Sequence, residues 1–194
     1  MVLGLKAFFI IVACILVVTA CKGVQNQVDL GHNTTPPYTE LQKLHSFVEN
    51  YVKVDIVVEK DAVGNMILAS TYTPTKAGFH LYSKDLPKDG IDGAGRPTLL
   101  EIIQMKNMRA TGQLFADQPI KNHYVEGFSE PFPIYPDGPV TLRLPIQTEN
   151  SVGGSIQVQI AVTYMACSSQ GRCLPPIVEK QVRVEIADNV VLTE

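Results

Sequence analysis

Two cysteines with five residues between them, Cys167 and Cys173, are the groups in this 194-residue chain best placed to do chemistry. A thiolate is a nucleophile and a soft metal ligand, and two near one turn can also form a disulfide. They lie in Met165-Ala166-Cys167-Ser168-Ser169-Gln170-Gly171-Arg172-Cys173-Leu174-Pro175-Pro176. Just upstream, Ile156, Val158, Ile160, Val162 and Tyr164 alternate with Gln157, Gln159, Ala161 and Thr163, the period of a half-buried strand. The pair therefore sits where a core strand runs into a turn. Gly171 supplies backbone freedom there, and Pro175-Pro176 stiffens the exit.

The remaining two cysteines belong to the N-terminus. Lys6 precedes an apolar run from Ala7 to Ala20, 14 residues long. A membrane span needs about 20 apolar residues, so the run fits the core of a signal peptide better. It ends in Val18-Thr19-Ala20-Cys21, small residues before a cysteine, which resembles a bacterial lipobox. The expectation is a leader over 1–20, removed with Cys14, and a lipid on the thiol of Cys21; plain secretion with cleavage after Ala20 is the other reading. Only Cys167 and Cys173 then remain as thiols, and an oxidising compartment lets them pair.

Composition narrows the field further. A formal charge of −3 and a pI near 5.8 give no electrostatic case for nucleic acid. His32, His45, His80 and His123 show no metal-ligand spacing, so neither a metal nor another cofactor is expected. No serine, histidine or carboxylate cluster carries a hydrolase nucleophile motif.

The elements that must hold the pair read as strand after strand. Val52–Val58, Met66–Tyr72, Gly78–Ser83, Pro97–Gln104, Met108–Phe115, Val140–Ile146, Ile156–Tyr164 and Val182–Ile186 carry strand patterns, with turn residues between them. Pro145 points to an edge or a bulge, and His123–Tyr135 to an irregular loop. Thr39–Tyr51 is the one helical candidate, with Leu41, Leu44 and Val48 at helical spacing; a non-helical lead-in is the alternative. The division is a leader over 1–20, a lipid-anchored tether with that short helix over 21–50, and one domain over 51–194. Its fold class is all-β, an immunoglobulin-like β-sandwich.

Two readings compete for the pair. As a staple, closing a loop of about seven residues stabilises the fold by only about 2.4 kcal/mol, and a bond between distant strands would give more. As an exchanging dithiol, a short loop keeps both sulfurs at the surface, where Arg172 favours a thiolate at Cys173. Residue physics alone leaves the two even. His80, Tyr82 and Tyr164 read as packed strand side chains.

The turn Cys167–Pro176, preceded by Val162-Thr163-Tyr164, resembles the active-site turn of the periplasmic N-terminal domain of the thiol:disulfide interchange protein DsbD. Gly78-Phe79-His80-Leu81-Tyr82-Ser83, followed by Arg96-Pro97-Thr98, is similar to that family's early glycine–aromatic–His–hydrophobic–Tyr segment. The resemblance extends over about Val52–Ile186. It implies an immunoglobulin-like domain that takes electrons from a thioredoxin-like protein domain and reduces oxidised periplasmic proteins. By that resemblance Cys173 is the nucleophile and Cys167 resolves the mixed disulfide. In the family an acidic and aromatic loop caps the cysteines; here Tyr124, Glu126 and Phe128 are the cap candidates, packed loop aromatics being the other reading. The family's membrane conduit and C-terminal thioredoxin-like domain have no counterpart in this sequence, so a separate polypeptide is the expected reductant. The expected location is the cell envelope, membrane-anchored and facing the periplasm. The alternative is a non-catalytic β-sandwich lipoprotein that binds proteins and carries an inert disulfide.

Overall fold

The computed structural model describes residues 38–104, 108–148 and 155–187. The expected leader over 1–20, the expected lipidation at Cys21, the part of the expected tether up to residue 37 and the expected Gly153-Gly154 turn lie outside the described residues. Described residues form no helix and thirteen strands. The long ones are β1 (Tyr38–Glu49), β2 (Val52–Asp61) and β3 (Met66–Pro74). Five short ones follow: β4 (Phe79–Leu81), β5 (Leu99–Ile102), β6 (Met108–Ala110), β7 (Phe115–Ala116) and β8 (Lys121–His123). The chain closes with β9 (Phe132–Ile134), β10 (Val140–Thr148), β11 (Ser155–Tyr164), β12 (Ala166–Ser168) and β13 (Ile177–Ala187).

All pairings are antiparallel. A six-stranded sheet runs β1-β2-β3-β10-β6, with β7 also on β10, and a three-stranded sheet runs β13-β11-β5. The alternation in the sequence explains what lies between them. Val52, Val54, Ile56 and Val58 of β2 and Ile156, Val158, Ile160, Val162 and Tyr164 of β11 are all buried in one core, along with the inward residues of β3, β10 and β13. The expected all-β, immunoglobulin-like sandwich is the fold observed. Two buried tyrosines lock the layers: Tyr72 donates to the Leu99 carbonyl at 2.7 Å and Tyr164 to the Glu49 carbonyl at 3.2 Å. Their rings meet edge to face, centroids 5.7 Å apart.

The helix expected over Thr39–Tyr51 is corrected to strand β1, and the sandwich therefore begins before residue 51. Register shifts between Glu40 and Gln42 and between Lys43 and His45 insert single residues into its ladder with β2. Each shift reverses which face the strand turns inward, so Leu41, Leu44 and Phe47 all reach the core at a spacing of three that imitates a helix. Val48, the third residue of the helical pattern, is 63% exposed. The hairpin turn that follows uses Asn50 and Tyr51, at φ +47° and +57°, where glycine would have announced it.

Three smaller departures share one cause, the shortness of the strands. Met108–Phe115 breaks into β6 and β7. Pro145 is inside β10, which has neighbours on both sides; along one side they are these two short strands rather than one continuous partner. His123–Tyr135, expected as an irregular loop, is a hairpin of β8 and β9 around residues 124–131.

β11 is the strand on which the site depends, since it has partners on both edges and delivers the chain to Cys167. Ile160→Ala, at a fully buried position in its middle, is expected to lower stability by about 2–5 kcal/mol in a denaturant titration.

Candidate functional site

After Tyr164 the chain leaves the three-stranded sheet, and β12 pairs with β4 instead. β4 continues onto β9: Ser83 N–H donates to the Pro133 carbonyl at 2.8 Å and Tyr135 N–H to the Leu81 carbonyl at 2.9 Å. Cys167 thus sits in a small layer of its own, directly across from His80 on one side and Cys173 on the other.

Cys167 and Cys173 are joined as a disulfide, with their Cα atoms 4.0 Å apart. The hairpin explains the closeness. Leu174 N–H donates to the Ala166 carbonyl at 2.9 Å and Ser168 N–H to the Arg172 carbonyl at 2.8 Å. The cysteines face each other between those two bonds, at a non-hydrogen-bonded position, where opposite strands approach most closely. Gly171 closes the turn at φ +80°; a side chain there would meet nothing within 4 Å, so the backbone conformation is what calls for glycine. Ser169 N–H to the Gly78 carbonyl (3.2 Å) and Asn50 Nδ2 to the Pro175 carbonyl (2.8 Å) pin the turn from both sides.

The two sulfurs have different surroundings. Cys167 is buried, only 2% exposed, whereas Cys173 is open to solvent. The Tyr82 hydroxyl lies 3.2 Å from Cys167 Sγ and 3.9 Å from Cys173 Sγ. Burial pushes that hydroxyl above its ordinary pKa, so at neutral pH it keeps its proton and can donate to sulfur. Tyr82 is held by Thr98, whose hydroxyl donates to its carbonyl at 2.7 Å. Gly95 lets the backbone approach the tyrosine ring, where a Cβ would lie 3.3 Å from two ring carbons. Beside the disulfide opens a cavity of about 430 Å³ whose walls include His80, Tyr82, Phe128, Phe132 and Met165.

His80 is 2% exposed, and its ring stands 6.1 Å from Tyr82 and 5.5 Å from His123. Burial, and then the neighbouring His123, hold its pKa below the ordinary histidine value against a weaker pull from Asp137. Arg172, expected to favour a thiolate, is exposed, and its backbone N–H donates to Ser168 Oγ at 3.1 Å.

Of the cap candidates, the structure brings Phe128 to the wall of the cavity beside the cysteines. Phe128 packs edge to face on Phe132 at 4.9 Å, and Phe132 in turn on Tyr82 at 5.5 Å, in one apolar cluster with Cys167. Ser129 anchors that loop through its N–H and hydroxyl, both 2.9 Å from Asp92 Oδ2. Tyr124, 78% exposed, and Glu126, also exposed, stay outside the cavity wall. Tyr82 and His80 were readable only as packed strand residues. The contact of Tyr82 with Cys167, 85 positions away, and the place of His80 opposite that cysteine depend on β4 pairing with β12, and no local pattern announces that pairing.

The arrangement is suited to disulfide exchange. One cysteine is exposed and borders the cavity; the sulfur of the other, buried one is a leaving group that already has a donor hydroxyl beside it. Among the described residues no group of three or more His, Cys, Asp or Glu is placed to hold a metal ion.

The family that the sequence matches agrees with that chemistry. The family model described as thiol:disulfide interchange protein DsbD, N-terminal, matches residues 50–185. Among solved structures, the N-terminal periplasmic domain of ScsB from Proteus mirabilis is similar at 11% identity, with a TM-score of 0.45. That match covers 76% of this chain but 51% of the other, so the chain spans about half the length of that structure. No curated protein sequence matches.

The environment of His80 generates a pH dependence. Its folded pKa is depressed, so below the unfolded value of about 6.5 the unfolded chain binds more protons. Stability is then full above that value and is lost as pH falls from it toward the lower folded pKa. Denaturation midpoints of the oxidised protein are expected to drop over this window, and His80→Gln is expected to remove that part of the drop.

Proposed function

The chain belongs to the family of N-terminal domains of the thiol:disulfide interchange protein DsbD, and we propose that it is a thiol–disulfide exchange domain working through Cys167 and Cys173. The observation that carries this reading is the asymmetry of the bond: an exposed Cys173 beside a cavity, joined to a buried Cys167 under the Tyr82 hydroxyl. A staple has no need of such an arrangement; an exchange site does.

In this reading a thioredoxin-like protein domain supplies the electrons. Its thiolate attacks Cys173 Sγ, the bond to Cys167 breaks, and Cys167 Sγ leaves as a thiolate. A second partner thiol displaces Cys173, and the partner departs as a disulfide. The reduced pair then works in the opposite direction. Cys173 attacks an oxidised client, and Cys167 resolves the mixed disulfide, so the client gains two electrons and two protons. Phe128 is the cap residue, since it covers the apolar side of the site from an exposed hairpin loop. No cofactor is required.

The place of work is the cell envelope, facing the periplasm. Removal of residues 1–20 and a lipid on Cys21 would tether the domain to a membrane and hold it near its donor. Support for this part is the apolar run and the small residues before Cys21.

Single-cysteine variants test the roles. Cys167→Ser leaves Cys173 without its resolving partner and is expected to accumulate mixed disulfides with envelope proteins, seen as thiol-sensitive bands on non-reducing gels. Cys173→Ser is expected to trap none. The reverse pattern would exchange the two roles.

A further inference from the structure

The proposed exchange accounts for the two sulfurs and Tyr82 but leaves a buried imidazole unused. His80 and Cys167 are directly opposed in the β4–β12 ladder, and both contribute to the wall of the same cavity. Opposed residues project to the same face with Cβ atoms about 4.5–5.5 Å apart. His80 is thus a neighbour of the sulfur that becomes charged when the disulfide opens. From the other side His123, on the half-exposed hairpin that also carries the cap loop, brings its ring to 5.5 Å. The ionisable groups facing His80 are therefore Cys167 on β12, Tyr82 beyond β4, His123 on β8 and Asp137 in the β9–β10 connection.

We propose that His80, backed by His123, takes up a proton when the disulfide is reduced and holds the Cys167 thiolate as an ion pair. The inference rests on the exchange reading and adds the fate of one proton to it. Reduction by a dithiol brings two electrons and two protons. The electron pair of the broken S–S bond goes to Cys167 Sγ. In this proposal one proton ends on Cys173 Sγ and the other on the His80 imidazole rather than on Cys167. In the oxidised form no anion faces His80 at the sulfur, and burial with His123 keeps it neutral. A thiolate in the same cavity reverses that balance, because an opposite charge within reach favours the imidazolium. When the pair is reoxidised by a client, Cys167 attacks Cys173 Sγ and the proton passes to the client's departing thiolate. His123 is placed as the connection between the buried ring and the surface.

The test is to titrate the histidines of the full chain by NMR, using labelled imidazole carbons, in the oxidised form and after reduction with a thiol buffer. His123→Gln and the ring contact with His123 assign the His80 signal. The His80 midpoint is expected to rise by about one to three units on reduction while His45 stays where it was. In a second measurement, the ultraviolet thiolate absorbance of reduced His80→Gln is expected to titrate higher than that of the unmutated chain. An unchanged His80 midpoint in a protein whose disulfide does exchange would overturn the proton proposal and leave the exchange reading standing. A disulfide that resists the thiol buffer overturns the exchange reading, and this proposal with it.

Discussion

Everything at this site depends on Cys167 being fixed at a non-hydrogen-bonded position of a tight hairpin while a second strand pairs along its other edge. Backbone bonds to Leu174 and Arg172 hold the distance to Cys173, and the pairing with Phe79, His80 and Leu81 sets which face the sulfur takes. Because both edges of β12 are occupied, Cys167 is covered and Cys173 projects from the loop. The difference in accessibility between two sulfurs of one bond is thus a product of strand pairing. It needs no flexible device.

The sandwich serves that arrangement by rigidity. β11 runs between β13 and β5 with five inward residues buried, and it ends one residue before β12. The turn inherits its position from the best-packed strand of the three-stranded sheet. Opposing it, a second apolar cluster of Tyr82, Leu86, Ile91 and Phe132 fixes the β4 side, with Gly95 and Thr98 holding the tyrosine. The main core, which also takes in Leu81 of β4 and Ala166 of β12, and this smaller cluster therefore meet beside the disulfide. Small exposed groups, Gly171 and Ser169 among them, form the outer rim. The loop closure itself is worth little energy on the scale of such a core, which agrees with a bond kept for chemistry.

How much of this could be read in advance follows the range of the forces involved. Periodicity placed β2, β3, β10, β11 and β13, because inward alternation is a local consequence of facing one core. It misread β1, where two register shifts converted a strand into an apparent helix, and it could not see an Asn50-Tyr51 turn that lacks glycine. The cysteine turn was legible as a motif. Its neighbours were not: Tyr82 reaches Cys167 across 85 positions, and nothing around either residue encodes that meeting. Phe128 emerged from the cap candidates only through its contact with Phe132, and Tyr124, an equally good aromatic by sequence, projects into solvent.

The central claim is that this bond opens and closes under ordinary biological driving force. Its most direct test is the reduction potential of Cys167–Cys173, measured by equilibrating the protein with a thiol–disulfide buffer. An exchanging pair is expected between about −180 and −270 mV, the range of working exchange proteins. A value below about −300 mV is that of a structural bond, and it would contradict the account.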